Sequence, residues 1–279
     1  MVPLVVALVM ASASAAGQPV AVSPDLRDLM SARNMAMGGA YESLGYGTEA
    51  ITGNPAAMSV YKRYVIEATG AWDIPLGFGN AGLGLMDSTT QVAMGVSYQF
   101  ATFGGAERRW AHLTTLAASV AIADIFHIGL SGQNHILTGA SNTNSISVNA
   151  GLVFHPAAWF SLGVSGHNLI SNYNVDLSRY FVASVSSLLF GQLTPVFDLR
   201  ADFNQATARF AFAGGLEWLI AETVPVRLGY QYDGIAGHQY LSFGLGYFSN
   251  GNGVDLAYRH ELGGEAGRLL CLTLKLQVN

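Results

Sequence analysis

From Tyr64 to the end of the chain, apolar side chains alternate with small or polar ones, in runs separated by turns. Val226-Arg227-Leu228-Gly229-Tyr230-Gln231-Tyr232-Asp233 shows the pattern, and Leu270-Cys271-Leu272-Thr273-Leu274-Lys275-Leu276-Gln277 shows it most clearly. Successive side chains on a strand face opposite sides of the sheet, so each run has one greasy face and one polar face. Most runs are close to the ~9–11 residues that a tilted strand needs to cross a bilayer. A soluble β-sandwich also alternates, but its outward positions would carry Lys and Glu. Here many of them carry Gly, Ser or Ala, and charged residues make up 11% of the chain against a norm near ~25%. Between Ile125 and Val175 there is no Asp, Glu, Lys or Arg at all. Nor is that stretch a helical span, because Gln133, Asn134, His135, Asn142 and Thr143 break every apolar run well short of ~18 residues. The fold class that remains is all-β: a transmembrane antiparallel β-barrel whose greasy face meets lipid and whose polar face meets a lumen.

About fourteen candidate strands fall near 61–73, 80–87, 92–103, 111–123, 126–137, 144–155, 159–169, 179–190, 193–204, 208–220, 223–233, 238–249, 253–262 and 268–279; an even number suits a bacterial barrel. With the first strand running outward, the shorter connections mostly fall at the periplasmic end and the longer ones outside. The chain begins with an apolar run, Val2–Met10, followed by Ala11-Ser12-Ala13-Ser14-Ala15-Ala16. That order reads as a secretory signal peptide over 1–16, cut near Ala16. Residues 17–60 lack the alternation and are expected to form a plug inside a barrel spanning 61–279.

Parity sorts the faces. Val92, Met94, Val96 and Tyr98, Ile146, Val148 and Leu152, and Leu241, Phe243 and Leu245 belong to the lipid side. The opposite face carries the lumen-lining charges Asp198, Arg200, Asp202, Arg209, Glu217, Arg227, Asp255, Arg259, Glu261 and Lys275. A lipid-facing Arg or Lys at the bilayer midplane would cost about 2–4 kcal/mol, which gives the partition a physical cause. Trp72, Trp110, Trp159, Trp218, Tyr232 and Tyr247 lie towards strand ends, where interfacial aromatics belong. Asp198-x-Arg200-x-Asp202 can pair with Arg209, Glu217 and Arg227 on nearby strands, either as a selectivity lining or as a network joining wall and plug.

His127, His135, His155 and His167 share the lumen parity but fall at opposite ends of their strands, so no metal site or other cofactor is expected. No Gly-x-Ser-x-Gly elbow occurs, so the chain does not read as an enzyme. Cys271, the single cysteine, can form no internal disulfide. A net charge of −5 with few basic residues gives no nucleic-acid footprint.

The most specific local signal is Ala32-Arg33-Asn34-Met35-Ala36-Met37-Gly38-Gly39-Ala40, followed by Gly53-Asn54-Pro55-Ala56-Ala57-Met58 just before the first strand. Gly38 and Gly39 permit positive φ or a close backbone approach. Asn54 can cap a short helical turn that Pro55 opens and Ala56 continues. In this order and ahead of so many strands, the two elements resemble the FadL-type (long-chain fatty-acid transporter) superfamily of outer-membrane barrels, and particularly its PorV/PorQ-like branch. The resemblance rests on Arg33, Gly38, Gly39, Asn54, Pro55 and Ala56, with Ala36 standing where the family usually has Gly. It implies a multi-pass protein of a Gram-negative outer membrane, surrounded by outer-membrane lipid. It also implies binding or passage of small hydrophobic compounds between plug and wall, with release by plug movement or through a side opening. The PorV/PorQ-like role is the alternative: a barrel that transports nothing and binds partner proteins of a secretion or surface-attachment system.

Overall fold

The computed structural model describes residues 29–45, 47–73, 75–103, 108–139, 142–171, 178–203, 209–234, 237–263 and 267–278. The expected signal peptide (1–16) and residues 17–28 of the expected plug lie outside the described residues. Three short helical pieces come first: α1 (Ala32–Ala36), α2 (Glu49–Thr52) and a 3-10 turn at Pro55–Ser59. Fourteen strands follow: β1 (Tyr64–Asp73), β2 (Phe78–Asp87), β3 (Val92–Phe103), β4 (Arg109–Ile122), β5 (Phe126–Thr138), β6 (Thr143–Ala157) and β7 (Phe160–Ser171), then β8 (Tyr180–Ser187), β9 (Leu193–Asp202), β10 (Arg209–Ile220), β11 (Val224–Asp233), β12 (His238–Ser249), β13 (Asn252–Glu261) and β14 (Arg268–Val278).

Each strand pairs antiparallel with its neighbours in sequence, and β14 returns to β1 to close the barrel. The seam runs from Tyr64 opposite Val278 to Asp73 opposite Leu269. Closure is what lipid demands, because an open edge would leave a row of N–H and C=O groups without partners in hydrocarbon. The period of two then sorts the side chains. Leu130, Leu152, Leu245 and Leu272 are exposed on the outside, whereas Ser131, Asn149, Ser242 and Thr273 are buried on the lumen side. Trp72 and Trp110 stand exposed at one end of the barrel, and Trp159, Trp218 and Tyr247 at the other.

The two ends differ. Short connections lie at 88–91, 123–125, 158–159, 188–192, 221–223 and 250–251; the opposite end carries 74–77, 104–108, 139–142, 172–179, 203–208, 234–237 and 262–267. Four of the short turns hold two successive residues at positive φ: Ala123-Asp124, Phe190-Gly191, Ala221-Glu222 and Asn250-Gly251. Such turns match the right-handed twist of the flanking strands, which types I and II would splay. One of them shortens a strand relative to the sequence expectation. The eighth strand ends at Ser187 rather than near 190, because Phe190 and Gly191 form the turn and leave only a bridge from Leu189 to Leu193.

The ladder between β6 and β7 is irregular, with register shifts at Val148/Ala150 and Phe154/Ala157. At the first of these, Asn168 takes a φ of 53°. Its N–H donates to Asn149 Oδ1 at 2.9 Å and its Nδ2 to the Ser178 carbonyl at 3.0 Å. A bulge leaves one residue outside the ladder, and here side chains supply the bonds that the ladder lacks.

Leu130 is central on β5 and 61% exposed. Leu130→Arg is expected to destabilise the barrel by about 2–4 kcal/mol, read as a shifted urea midpoint in lipid vesicles.

Candidate functional site

Residues 29–60 contain only three charged side chains, Arg33, Glu42 and Glu49, among small and apolar neighbours. All three are buried inside the barrel, so each must find a partner on the wall or on the plug itself. Arg33, on α1, meets Glu217 of β10 as a two-pronged fork, Nε to Oε2 at 2.9 Å and Nη2 to Oε1 at 2.8 Å. The same carboxylate accepts Arg227 Nε at 2.6 Å, and Arg227 reaches on to Asp255 of β13. Alternating charges thus run from the plug across three strands of the wall.

Glu42 turns to β7, three strands round the wall from β10. Its Oε2 accepts from Ser165 Oγ at 2.8 Å, and its Oε1 lies 3.1 Å from His167 Nε2, both on β7. The His167 ring stacks on Tyr180, with centroids 4.4 Å apart, and the Arg200 guanidinium lies 3.7 Å above the far partner's ring. Between these anchors, Asp198 of β9 accepts the backbone N–H groups of Tyr41 and Glu42 at 2.8 and 3.1 Å, and Ser184 Oγ donates to it as well. A charged acceptor here satisfies two buried backbone donors that no secondary structure could reach.

Glu49 sits near a second acid, Glu67 of β1. Glu67 is held by Lys275 Nζ at 3.0 Å and accepts from Thr48 N and Thr48 Oγ1 at 2.8 and 2.5 Å. Glu49 has Arg33 at the longer distance of 3.7 Å. Burial, reinforced by the Glu67 carboxylate, pushes the Glu49 carboxyl up to about 7, against the opposing pull of Lys275 and Arg33. Burial also holds the Tyr41 phenol well above its usual range, with the neighbouring acids adding to it.

The sequence motifs form the backbone of this seat. Ser31 caps α1, accepting from Asn34 N at 3.3 Å, and Ala32 N donates to Thr273 Oγ1 of β14 at 2.9 Å. Gly38 and Gly39 take φ values of 69° and 83°, and a Cβ on Gly38 would lie 2.7 Å from Tyr230 N, so no larger residue fits without moving the wall. Asn54 Oδ1 accepts from Ala56 N at 3.1 Å, Pro55 opens the 3-10 turn, and Asn54 Nδ2 reaches the Leu152 carbonyl at 3.3 Å. The wall answers with missing side chains of its own: a Cβ on Gly129 would overlap the Pro55–Ala56 peptide, and one on Gly244 would overlap the methyl of Ala36. Below the turn, Ser59 Oγ lies 2.7 Å from Ser119 Oγ and 2.9 Å from His127 Nδ1.

Of the residues expected to line the lumen, Asp198, Asp202, Arg227, Asp255, Arg259, Glu261 and Lys275 are buried there, while Arg209 is exposed at the mouth of β10. Asp198 spends its carboxylate on the plug and Arg200 stacks on Tyr180, while Glu217 and Arg227 pair with each other. Arg259 lies 4.4 Å over the Tyr240 ring, and Glu261 approaches His238 Nδ1 at 2.5 Å. Sequence reasoning missed Glu42, Glu49, Glu67 and Ser165. The available signal was scarcity: a carboxylate in an otherwise uncharged segment needs a partner. Among the described residues, no three of His, Cys, Asp and Glu gather as metal ligands.

At the end with the longer loops the lumen changes character. Ala101, Ala111, Leu113 and Leu137 pack as an apolar cluster with Leu29 of the plug segment, flanked by Phe78 and Phe103. Deeper in, other apolar clusters join plug and wall, with Ile51 and Met58 against Val65, Met86 and Val153, and Met37 against Val196 and Ala213, set among Ser, Asn, Thr, Gly and paired charges.

No protein-family model matches the chain, and neither does any curated protein. Solved structures do. A structure described as the CymD monoaromatic hydrocarbon channel superposes with a TM-score of 0.71 at 12% identity, covering 88% of this chain and 96% of that one. The Ralstonia pickettii toluene transporter TbuX gives 0.70 at 12% identity, covering 89% and 97%. A Pseudomonas aeruginosa FadL homologue gives 0.59 at 13% identity, covering 88% and 97%. The shared object is the fold, a fourteen-stranded barrel closed on itself, and the likeness extends over nearly the whole of each chain.

Two outcomes are expected. Glu217→Gln leaves Arg33 and Arg227 facing each other in the lumen, and loosening of the seat by about 3–5 kcal/mol should appear as rapid limited proteolysis within residues 29–60. Glu49 is protonated more readily in the fold than in the open chain, so its contribution to stability is present at low pH and is lost as the pH rises through about 7. The urea midpoint should therefore fall between pH 5.5 and pH 8 by more in the native protein than in Glu49→Gln.

Proposed function

We propose that the chain is an outer-membrane barrel of a Gram-negative bacterium that passes small hydrophobic compounds through its wall-and-plug interior. The observation that carries this reading is the apolar cluster at the looped mouth, Leu113, Leu137, Ala101 and Ala111 with Phe78 and Phe103, covered by Leu29 of the plug segment. Apolar side chains gain by being covered, and a greasy solute arriving from outside meets its first complementary surface there. The likeness to hydrocarbon and toluene channels supports the same class of cargo.

The described lumen is filled by residues 29–60, so passage requires that the plug give way. Leu29 caps the cluster, and the Arg33–Glu217 and Glu42–His167 contacts hold the segment behind it. A compound seated against Leu113 and Leu137 competes first with Leu29, while those polar anchors keep the rest of the plug in register.

Uptake of radiolabelled toluene and of a radiolabelled long-chain fatty acid tests the reading in a deletion strain, its parent and complemented strains. The deletion should lower uptake of at least one compound several-fold. Native protein should restore it, and a Leu113→Asp/Leu137→Asp double variant that still reaches the outer membrane should not. Equal uptake in deletion strain and parent overturns the proposal. A stoichiometric protein partner in a pull-down from solubilised membranes would favour the secretion-partner role instead.

A further inference from the structure

Between the plug and strands β1–β3 lies a second space of about 450 Å³, its open mouth included. It is unlike the apolar mouth. Asn34 and Glu49 project into it from the plug, and Asn80, Ser97 and Gln99 from the wall. In each of these five residues a buried atom makes no hydrogen bond: Asn34 Nδ2, Asn80 Nδ2, Ser97 Oγ, Gln99 Oε1, and Glu49 Oε1, which faces Arg33 Nη1 only at the ion-pair distance of 3.7 Å. Asn34, Asn80, Ser97 and Glu49 are 1%, 6%, 5% and 7% exposed, so bulk water does not reach them freely.

Buried polar groups are nearly always satisfied, and each exception calls for an explanation. Five exceptions around one cavity share one explanation, an occupant that bonds to all of them. Their chemistry defines it. Two amide nitrogens need acceptors, the Glu49 and Gln99 oxygens need donors, and the Ser97 hydroxyl can act either way. A hydrocarbon would satisfy none of them. An anion would face Glu49 and Glu67 together, and Glu67 already holds the nearby cation, Lys275, at 3.0 Å. A hydroxyl group both donates and accepts, so several on one carbon chain answer a mixed set without bringing charge. We propose that this chamber is a binding site for a small neutral polyhydroxylated molecule, of which glycerol and erythritol are simple representatives. The site adjoins the apolar mouth, with Leu29 lining both, but its polar lining is distinct and it does not depend on hydrocarbon passage.

Saturation-transfer-difference NMR on the full chain in amine-oxide detergent micelles, whose headgroups carry no sugar, tests it with glycerol and erythritol as probes. Transfer to the carbon-bound protons of at least one probe is expected. It should weaken about five- to tenfold, as for loss of one good hydrogen bond, in Asn80→Leu and in Ser97→Ala. A lipid-face control, Leu152→Ala, should leave it unchanged. Heat-modifiable migration on gels confirms that each variant is folded, and if Asn80→Leu does not fold, Ser97→Ala carries the comparison. No transfer to the native protein, which would mean a chamber holding water alone, overturns the proposal. So does transfer that Ser97→Ala leaves intact. Neither result bears on hydrocarbon uptake, so the two proposals fail separately.

Discussion

Everything in this molecule depends on the pairing of β1 with β14. In hydrocarbon a strand edge has no water to bond to, so fourteen strands form a stable wall only once the last has met the first. That closure fixes which side of each strand is lipid and which is lumen. It also creates the problem that the N-terminal segment solves: a barrel of this size encloses more room than its own short side chains can fill. The glycines and serines on the lumen face leave space, and residues 29–60 occupy it.

The plug is held by greasy packing, with Ile51 and Met58 against Val65, Met86 and Val153, and by a few charges placed where nothing else could bond them. Arg33 is shared between the wall carboxylate Glu217 and the plug's own Glu49, Glu42 reaches β7, and Asp198 reads bare backbone at Tyr41 and Glu42. These contacts fall on one arc of the wall, β7, β9 and β10, and with Ala32 N on Thr273 of β14 and Asn54 on β6 they fix the segment in both depth and rotation. Buried ion pairs contribute little net stability, because desolvation offsets their attraction, but they penalise misplacement heavily. A segment that must sit in one register suits that energetic profile.

The wall was legible in the sequence because lipid enforces it residue by residue. The run Leu270–Gln277 could have no other parity without putting Lys275 into hydrocarbon, and Val92–Tyr98 none without turning Val92, Met94, Val96 and Tyr98 away from it. The end of β8 was not legible, since Leu188-Leu189-Phe190 reads as more strand until the positive φ of Phe190 turns the chain. The seat was legible only as a motif. Gly38, Gly39, Asn54 and Pro55 announce tight backbone, but their partners, such as Tyr230 and the Leu152 carbonyl, lie far along the chain, and no local pattern names them. The lumen glycines were misleading in a milder way. Gly129 and Gly244 read as small residues on a polar face, and their purpose is visible only once the Pro55–Ala56 peptide and Ala36 are seen lying against them.

The bond from Ala32 N to Thr273 Oγ1 joins residues 241 apart in the chain, and the Glu67–Lys275 pair beside it spans the closing seam. A ribosome makes one end of these contacts first and the other almost last. The plug segment is therefore synthesised long before its seat exists, and contacts of such long separation form late. Through most of its assembly the chain carries Arg33, Glu42 and Glu49 as ordinary solvated charges. The interior is closed only once β14 has met β1, so a segment made early in synthesis gains its full seat from strands made last.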